Sequence, residues 1–205
     1  MKICGLSRLA DVAMVNLLQP DYIGFVFAPS RRKVTRAQAL ELKKALSPSI
    51  QAVGVFVGEE ATQIAKIVEG GIIDVVQLHG DETPEFCALL KQLTPAPIIK
   101  VIRVKNERSL ENLEDYPCDY FLFDPYSHMA YGGLGKEFDY SFLRKDAIPK
   151  PFFIAGGLRP DNVWEPLQKL LPYGVDVSGG VETDGFKNEG KIKQFIKAVR
   201  KGEKQ

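Results

Sequence analysis

The sequence is short of cysteine, histidine and net charge, and each shortage excludes a class of function. Its three cysteines, Cys4, Cys87 and Cys118, are an odd number without paired spacing, which argues against a disulfide framework and against a CxxC metal site. Two histidines, His79 and His128, are too few for the His/Asp ligand cluster of a metal-dependent sugar-phosphate enzyme, so no metal is expected. A formal net charge of +1 supplies no basic field, and no nucleic-acid partner is expected. No apolar run approaches the roughly 20 residues that span a bilayer, which argues against a membrane partner. The opening stretch MKICGLSRLADVAM carries charges where a signal peptide would be apolar, so the expected location is the cytoplasm. No low-complexity linker or charge block divides the 205 residues, which are expected to form one domain over 1–205.

What is present is an alternation of short apolar runs with longer amphipathic stretches. Strands are expected at Lys2–Cys4, Tyr22–Phe27, Gln51–Val57, Val75–Leu78, Ile98–Arg103, Tyr120–Phe123, Phe152–Ala155 and Val175–Val177. Runs such as AVGVFV and IIKVIRV are nearly continuous in apolar residues, as parallel strands covered on both faces require. Helices are expected at Ala37–Ala45, with Thr35 as N-cap and Leu40 and Leu42 on the apolar side, and at Glu60–Glu69, with Ile64, Ile67 and Val68 facing inward. A further one at Lys191–Arg200 places Ile192, Phe195, Ile196 and Val199 on one stripe, and Pro160 with Asp161 and Asn162 marks a helix start after the seventh strand. Eight strands with interleaved helices predict an α/β fold of the (β/α)8 TIM-barrel type. The dinucleotide-binding alternative lacks its glycine fingerprint, because CGLSRL follows the first strand.

Barrel enzymes build their sites from the C-terminal ends of the strands. Polar residues interrupt those ends at Cys4, Arg32, His79, Arg103, Asp124, Gly156–Gly157 and the run Asp176-Val-Ser-Gly-Gly180. Glycines after strands seven and eight let the backbone N–H groups approach an anion, so Gly156, Gly157, Ser178 and Gly179 predict a phosphate site rather than mere tight turns. Cys4 ends strand one; a small buried hydrophobe is the bland reading, and a base needing only a modest pKa shift is the functional one. Cys87 and Cys118 are assigned to structure. Asp124 ends the otherwise apolar FLFD, where desolvation would make it an acid; the competing role as a loop cap is weakened by Pro125. Arg31, Arg32 and Lys33 form a basic loop suited to a carboxylate or phosphate. His79 is expected to contact substrate or support a loop, and His128 to lie at the surface.

Taken in order, KICG, DYIGFVFAPSRRKVT, VGVFV, VVQLHGDE, IKVIRV, FLFDPYSHMAYGGLGKEFDYSFL, IAGGLRPDNV and GVDVSGGVETDGFKNEGKI resemble the phosphoribosylanthranilate isomerase family across essentially the whole chain. The resemblance implies a phosphate-binding barrel without cofactor. It implies an Amadori rearrangement of a small phosphorylated substrate in tryptophan biosynthesis, with Cys4 as general base and Asp124 as general acid. It further implies Arg32 on the anthranilate side, with Arg31 as a substitute, and Gly156, Gly157, Asp176 and Ser178 around the phosphate. Two departures stand out: Gly179 replaces a serine of the family's DVSSGVE, and Leu134 replaces the small residue of its GGTG or GGSG loop. Monomer and homodimer are both compatible with the sequence.

Two competitors fit less well. Indole-glycerol-phosphate synthase, a lyase on the same barrel, expects a longer N-terminus and a catalytic lysine at a strand end, whereas Lys100 lies inside strand five. A protein that only binds a phosphorylated ligand has no use for Cys4 and Asp124 at two strand ends.

Overall fold

The computed structural model describes residues 1–125, 143 and 145–202. Eight parallel strands close on themselves in chain order: β1 (Lys2–Cys4), β2 (Tyr22–Val26), β3 (Gln51–Phe56), β4 (Val75–Leu78), β5 (Ile98–Val104), β6 (Tyr120–Pro125), β7 (Phe152–Ile154) and β8 (Gly174–Val177). The ring is completed by β1 pairing with β8, with Lys2 opposite Asp176 and Ile3 opposite Val177. A closed parallel sheet has no free edge, and its outer face is covered by the helices that link the strands.

The helices are α1 (Leu9–Leu18), α2 (Arg36–Ala45), α3 (Ala61–Glu69), α4 (Pro84–Leu93), α5 (Trp164–Leu170) and α6 (Glu189–Gly202). Thr35 caps α2 as expected, its hydroxyl accepting from the Gln38 N–H while the Gln38 side chain accepts from the Thr35 N–H. The face of α2 that packs inward is built on Ala39, Leu42 and Leu46, which lie three and four residues from Leu42, while Leu40 is only half-buried at its edge. The stripe expected on α6 is buried at all of Ile192, Phe195, Ile196 and Val199, and Asn188 opens the helix by accepting from the Lys191 N–H.

One expectation about the helical layer is corrected. The helix after β7 begins at Trp164, not at Pro160. Asn162 accepts from the Arg159 N–H and donates to the Gly157 carbonyl, which holds 159–162 in a turn before the helix can start. Between β5 and β6 there are two short 3-10 turns, Glu107–Leu110 and Leu113–Asp115, because Asn112 takes a left-handed conformation between them. After β8 the chain forms an antiparallel ribbon, β9 (Glu182–Thr183) and β10 (Phe186–Lys187). Its turn residues, Asp184 and Gly185, both have positive φ, the requirement of a two-residue hairpin.

Strand alternation divides the core in two. Outward residues such as Ile3, Val76, Phe121, Phe123 and Val175 pack under the helices. Inward residues Val53, Val75, Ile99, Val101, Leu122 and Phe153 fill the lower barrel, with Tyr22 and Tyr120 against them. The same period of two turns Lys2, Cys4, Gln77, Asp124 and Asp176 into the barrel, so a polar upper layer sits on an apolar floor.

Candidate active site

A cavity of about 430 Å³ opens at the C-terminal mouth of the barrel. Nine residues singled out from the sequence border it, Cys4, Arg32, His79, Asp124, Gly156, Gly157, Asp176, Ser178 and Gly179, whereas Arg103 at the end of β5 does not and pairs with Asp81. His128 and the Gly132-Gly133-Leu134-Gly135 segment lie outside the described residues. Among the described residues no three His, Cys, Asp or Glu side chains come together to hold a metal ion.

Cys4 projects from β1 and retains 8% exposure. Gly24 on the neighbouring strand leaves room for the sulfur, since a Cβ there would stand 2.6 Å from Sγ. Burial is the largest influence on the thiol and pushes its pKa up. Lys2 and Lys187 favour the thiolate, Asp176 opposes it, and the net shift is upward. The modest shift toward ionisation that a neutral-pH base needs is therefore not present at rest, because desolvation outweighs the two ammonium groups. Cys87 and Cys118 are buried away from the cavity, and burial carries the Cys87 thiol up to about 12, in keeping with a structural part.

Asp124 enters the cavity from β6 with 4% exposure. The His79 ring stands beside it, Nε2 3.2 Å from Oδ2 but not aligned as a hydrogen bond. The Gln77 amide nitrogen lies 3.0 Å from His79 Nδ1. With the amide so oriented, Nδ1 accepts, and a neutral ring carries its proton on Nε2, facing Asp124.

Gly156 has φ +88°, and a Cβ on it would fall 2.0 Å from Pro125 Cδ and 3.1 Å from Asp124 Oδ1. Only glycine lets the loop after β7 lie against the acid. Gly180 brings the loop after β8 onto the loop after β7: a Cβ there would stand 1.9 Å from the Leu158 carbonyl oxygen. We expect Gly180→Ala to lower the unfolding free energy in urea by about 1–3 kcal/mol, the usual penalty of overpacking against atoms that cannot move aside. An unchanged urea midpoint would show that the two loops can part freely.

Ser178, Asp176 and Arg32 are, like His79, already engaged by protein partners. The Ser178 hydroxyl donates to the Cys4 carbonyl at 3.1 Å, tying the end of β8 to the end of β1. Asp176 accepts from the buried Lys2 ammonium at 2.8 Å, while its Oδ1 has no partner. Asp176 is thus the counter-ion of Lys2 and borders the cavity together with the two glycine loops. Arg32 donates through Nε and Nη2 to Glu182 at 2.7 and 2.8 Å, and Arg31 joins the same carboxylate at 2.6 Å. Lys187 completes the cluster at 2.6 Å from Glu182. Burial would raise the Glu182 pKa, but the hydrogen bonds from Arg32 and Lys187 outweigh it and hold the carboxyl low. The bonds that Arg32 donates to Glu182 in turn hold its guanidinium charged.

Lys2, Gln77, Glu182 and Lys187 were not selected from the sequence. For Lys2 and Gln77 a signal existed, as polar side chains at inward positions of otherwise apolar strands. For Glu182 and Lys187 none did, because their partnership with Arg32 requires the β9–β10 ribbon to fold back over the loop after β2.

A closed eight-stranded parallel barrel that gathers a thiol, a buried carboxylate and two glycine loops at its C-terminal mouth is the architecture of a barrel enzyme acting on a small ligand. The family described as N-(5'phosphoribosyl)anthranilate (PRA) isomerase matches residues 1–198, and the chain belongs to that family. It is 48% identical over 210 residues to the N-(5'-phosphoribosyl)anthranilate isomerase of Acetivibrio thermocellus, covering 99% of this chain and 96% of that one. The crystal structure of the phosphoribosyl anthranilate isomerase of Thermotoga maritima superposes with a TM-score of 0.87 at 35% identity, covering 98% of each chain. A phosphoribosyl anthranilate isomerase in complex with reduced 1-(o-carboxyphenylamino)-1-deoxyribulose 5-phosphate superposes with a TM-score of 0.84 at 33% identity, covering 98% of this chain and 97% of that one.

Proposed function

We propose that this chain carries out its family's isomerisation, taking N-(5-phosphoribosyl)anthranilate to the carboxyphenylamino-deoxyribulose phosphate in tryptophan biosynthesis, with Asp124 as acid and Cys4 as base. The observation that carries this reading is that the β1 thiol and the β6 carboxylate border one cavity with both glycine loops. Asp124 gives a proton to the ribose ring oxygen, the C1′–O bond breaks, and the nitrogen lone pair forms the iminium, the nitrogen keeping its hydrogen. The Cys4 thiolate takes the proton from C2′, and that electron pair forms the enolamine, which tautomerises to the ketone. Protons and electrons balance without an external reagent. The loops at Gly156–Gly157 and Ser178–Gly179 receive the phosphate through backbone N–H groups, for which loss of a serine hydroxyl at Gly179 costs affinity more than chemistry. Arg32, fixed along one edge by Glu182, offers its remaining N–H groups to the anthranilate carboxylate.

The active form holds one proton between the two groups, on Asp124 and not on Cys4. Raising the pH removes that shared proton with the midpoint of the higher-pKa member, the Cys4 thiol. The kcat/KM profile should therefore stay high through neutral pH and fall only above the ordinary thiol range, by about tenfold per pH unit beyond the midpoint. Iodoacetamide alkylation of Cys4, followed by mass spectrometry of its peptide, should titrate with the same midpoint. An alkaline limb near neutrality, or one displaced from the alkylation midpoint, would remove Cys4 from the proton transfer.

A further inference from the structure

Among the described residues Lys2 is the most deeply buried charge, with 0% of its surface exposed inside the barrel. A lysine in such a place is costly unless paired, and its pairing is incomplete: Asp176 meets it through Oδ2 at 2.8 Å, while Oδ1 makes no bond. A methionine of similar volume would fill the same space without desolvating an ion, so stability does not account for the charge. Position does. Lys2 and Cys4 are two apart on β1, so strand alternation turns both side chains into the barrel, about 7 Å apart at the backbone and one layer below the other. From these contacts we infer that Lys2 is a positioning residue for the proposed reaction, holding a positive charge beneath Cys4 that makes its thiolate attainable at the barrel mouth.

The other charges around Cys4 do not replace it. Asp176, on β8, is negative and works against the thiolate. Lys187, on β10, has its ammonium taken up by Glu182 at 2.6 Å and the Ser178 carbonyl at 3.1 Å. Arg32, in the loop after β2, is bound through Nε and Nη2 to Glu182. Asp124 and His79 reach the cavity from β6 and from the end of β4, and they face each other. Lys2 faces the Asp176 carboxylate and the Cys4 thiol, and Asp176 acts on the sulfur as well. The pair therefore sets the potential at Cys4 by the balance of one ammonium against one carboxylate. Consistent with this, burial would lower the Lys2 pKa, but Asp176 and Cys4 together hold it above the ordinary lysine value, so the ammonium stays charged.

The inference rests on Cys4 being the base, and its test separates the two. Alkylation of Cys4 by iodoacetamide, read across pH by mass spectrometry, is compared in the full-length protein with Lys2→Met and with Asp176→Asn. Lys2→Met should raise the Cys4 midpoint by about one pH unit or more. It should lower the plateau of kcat/KM by about tenfold per unit of that shift, while the alkaline limb of the profile moves to higher pH with the midpoint. A general loss of packing would slow the enzyme without moving the limb. Asp176→Asn should move the midpoint the other way, downward, and it decides the matter if Lys2→Met does not fold. An unmoved midpoint in folded Lys2→Met, or a midpoint in Asp176→Asn that stays or rises, overturns the inference. A midpoint that shifts as expected while the rate profile stays fixed upholds the link between Lys2 and the thiol and overturns Cys4 as the base.

Discussion

Cys4→Ala should lower kcat by about 10²–10⁴-fold, the range a positioned proton-transfer group contributes. The alanine side chain fits wherever the cysteine does, and the cavity left by one sulfur atom beside Gly24 costs stability on the order of 1 kcal/mol, too little to unfold a domain. KM should change little, because phosphate and carboxylate contacts come from other residues. Cys4→Ser should fail as well: a hydroxyl is a far weaker acid than a thiol and supplies almost no anion at neutral pH. The decisive measurement is turnover of freshly made phosphoribosylanthranilate, followed by loss of its fluorescence, with circular dichroism confirming the fold. Turnover within tenfold of the wild type in Cys4→Ala would exclude the thiol as the base.

Asp124→Asn is expected to cost a similar 10²–10⁴-fold in kcat, for a different reason. The amide keeps the size of the carboxyl, the contact with His79 and the close approach of Gly156, but it has no proton to give the ring oxygen. The pH profile supplies a second, independent sign. In the wild type the rate falls at alkaline pH because the single proton of the pair is lost. In the Asp124→Asn variant only the thiolate matters, and the residual rate should rise with pH through the same midpoint. A residual rate that still falls there would place the donated proton on a group other than Asp124.

How much of this was legible beforehand varies by residue. The barrel was, because runs such as AVGVFV and IIKVIRV have the pattern of strands covered on both faces, and eight strand candidates with helices between them have few other solutions. The strand-end rule then picked Cys4, His79 and Asp124, which border one cavity, and also Arg103, which does not. Helix boundaries were less legible wherever a side chain competes with the backbone, as Asn162 does in delaying α5 to Trp164. The shift of the Cys4 thiol was not legible at all. Its direction depends on how deeply the sulfur sits and on which of Lys2, Lys187 and Asp176 outweigh the others, none of which is a neighbour relation along the chain beyond Lys2.

The sequence by itself determined the strands, the inward or outward side of each strand residue and therefore the list of groups at the barrel mouth, because a period of two and a period of 3.6 are local properties. Only the tertiary structure decided which of those groups are already spoken for. Arg32 lies on Glu182, Ser178 on the Cys4 carbonyl and Asp176 on Lys2, across sequence separations of 150 to 174 residues. Closing the barrel brings strands one and eight together, and charges that meet there in a dry interior set one another's ionisation in a way that no stretch of sequence encodes.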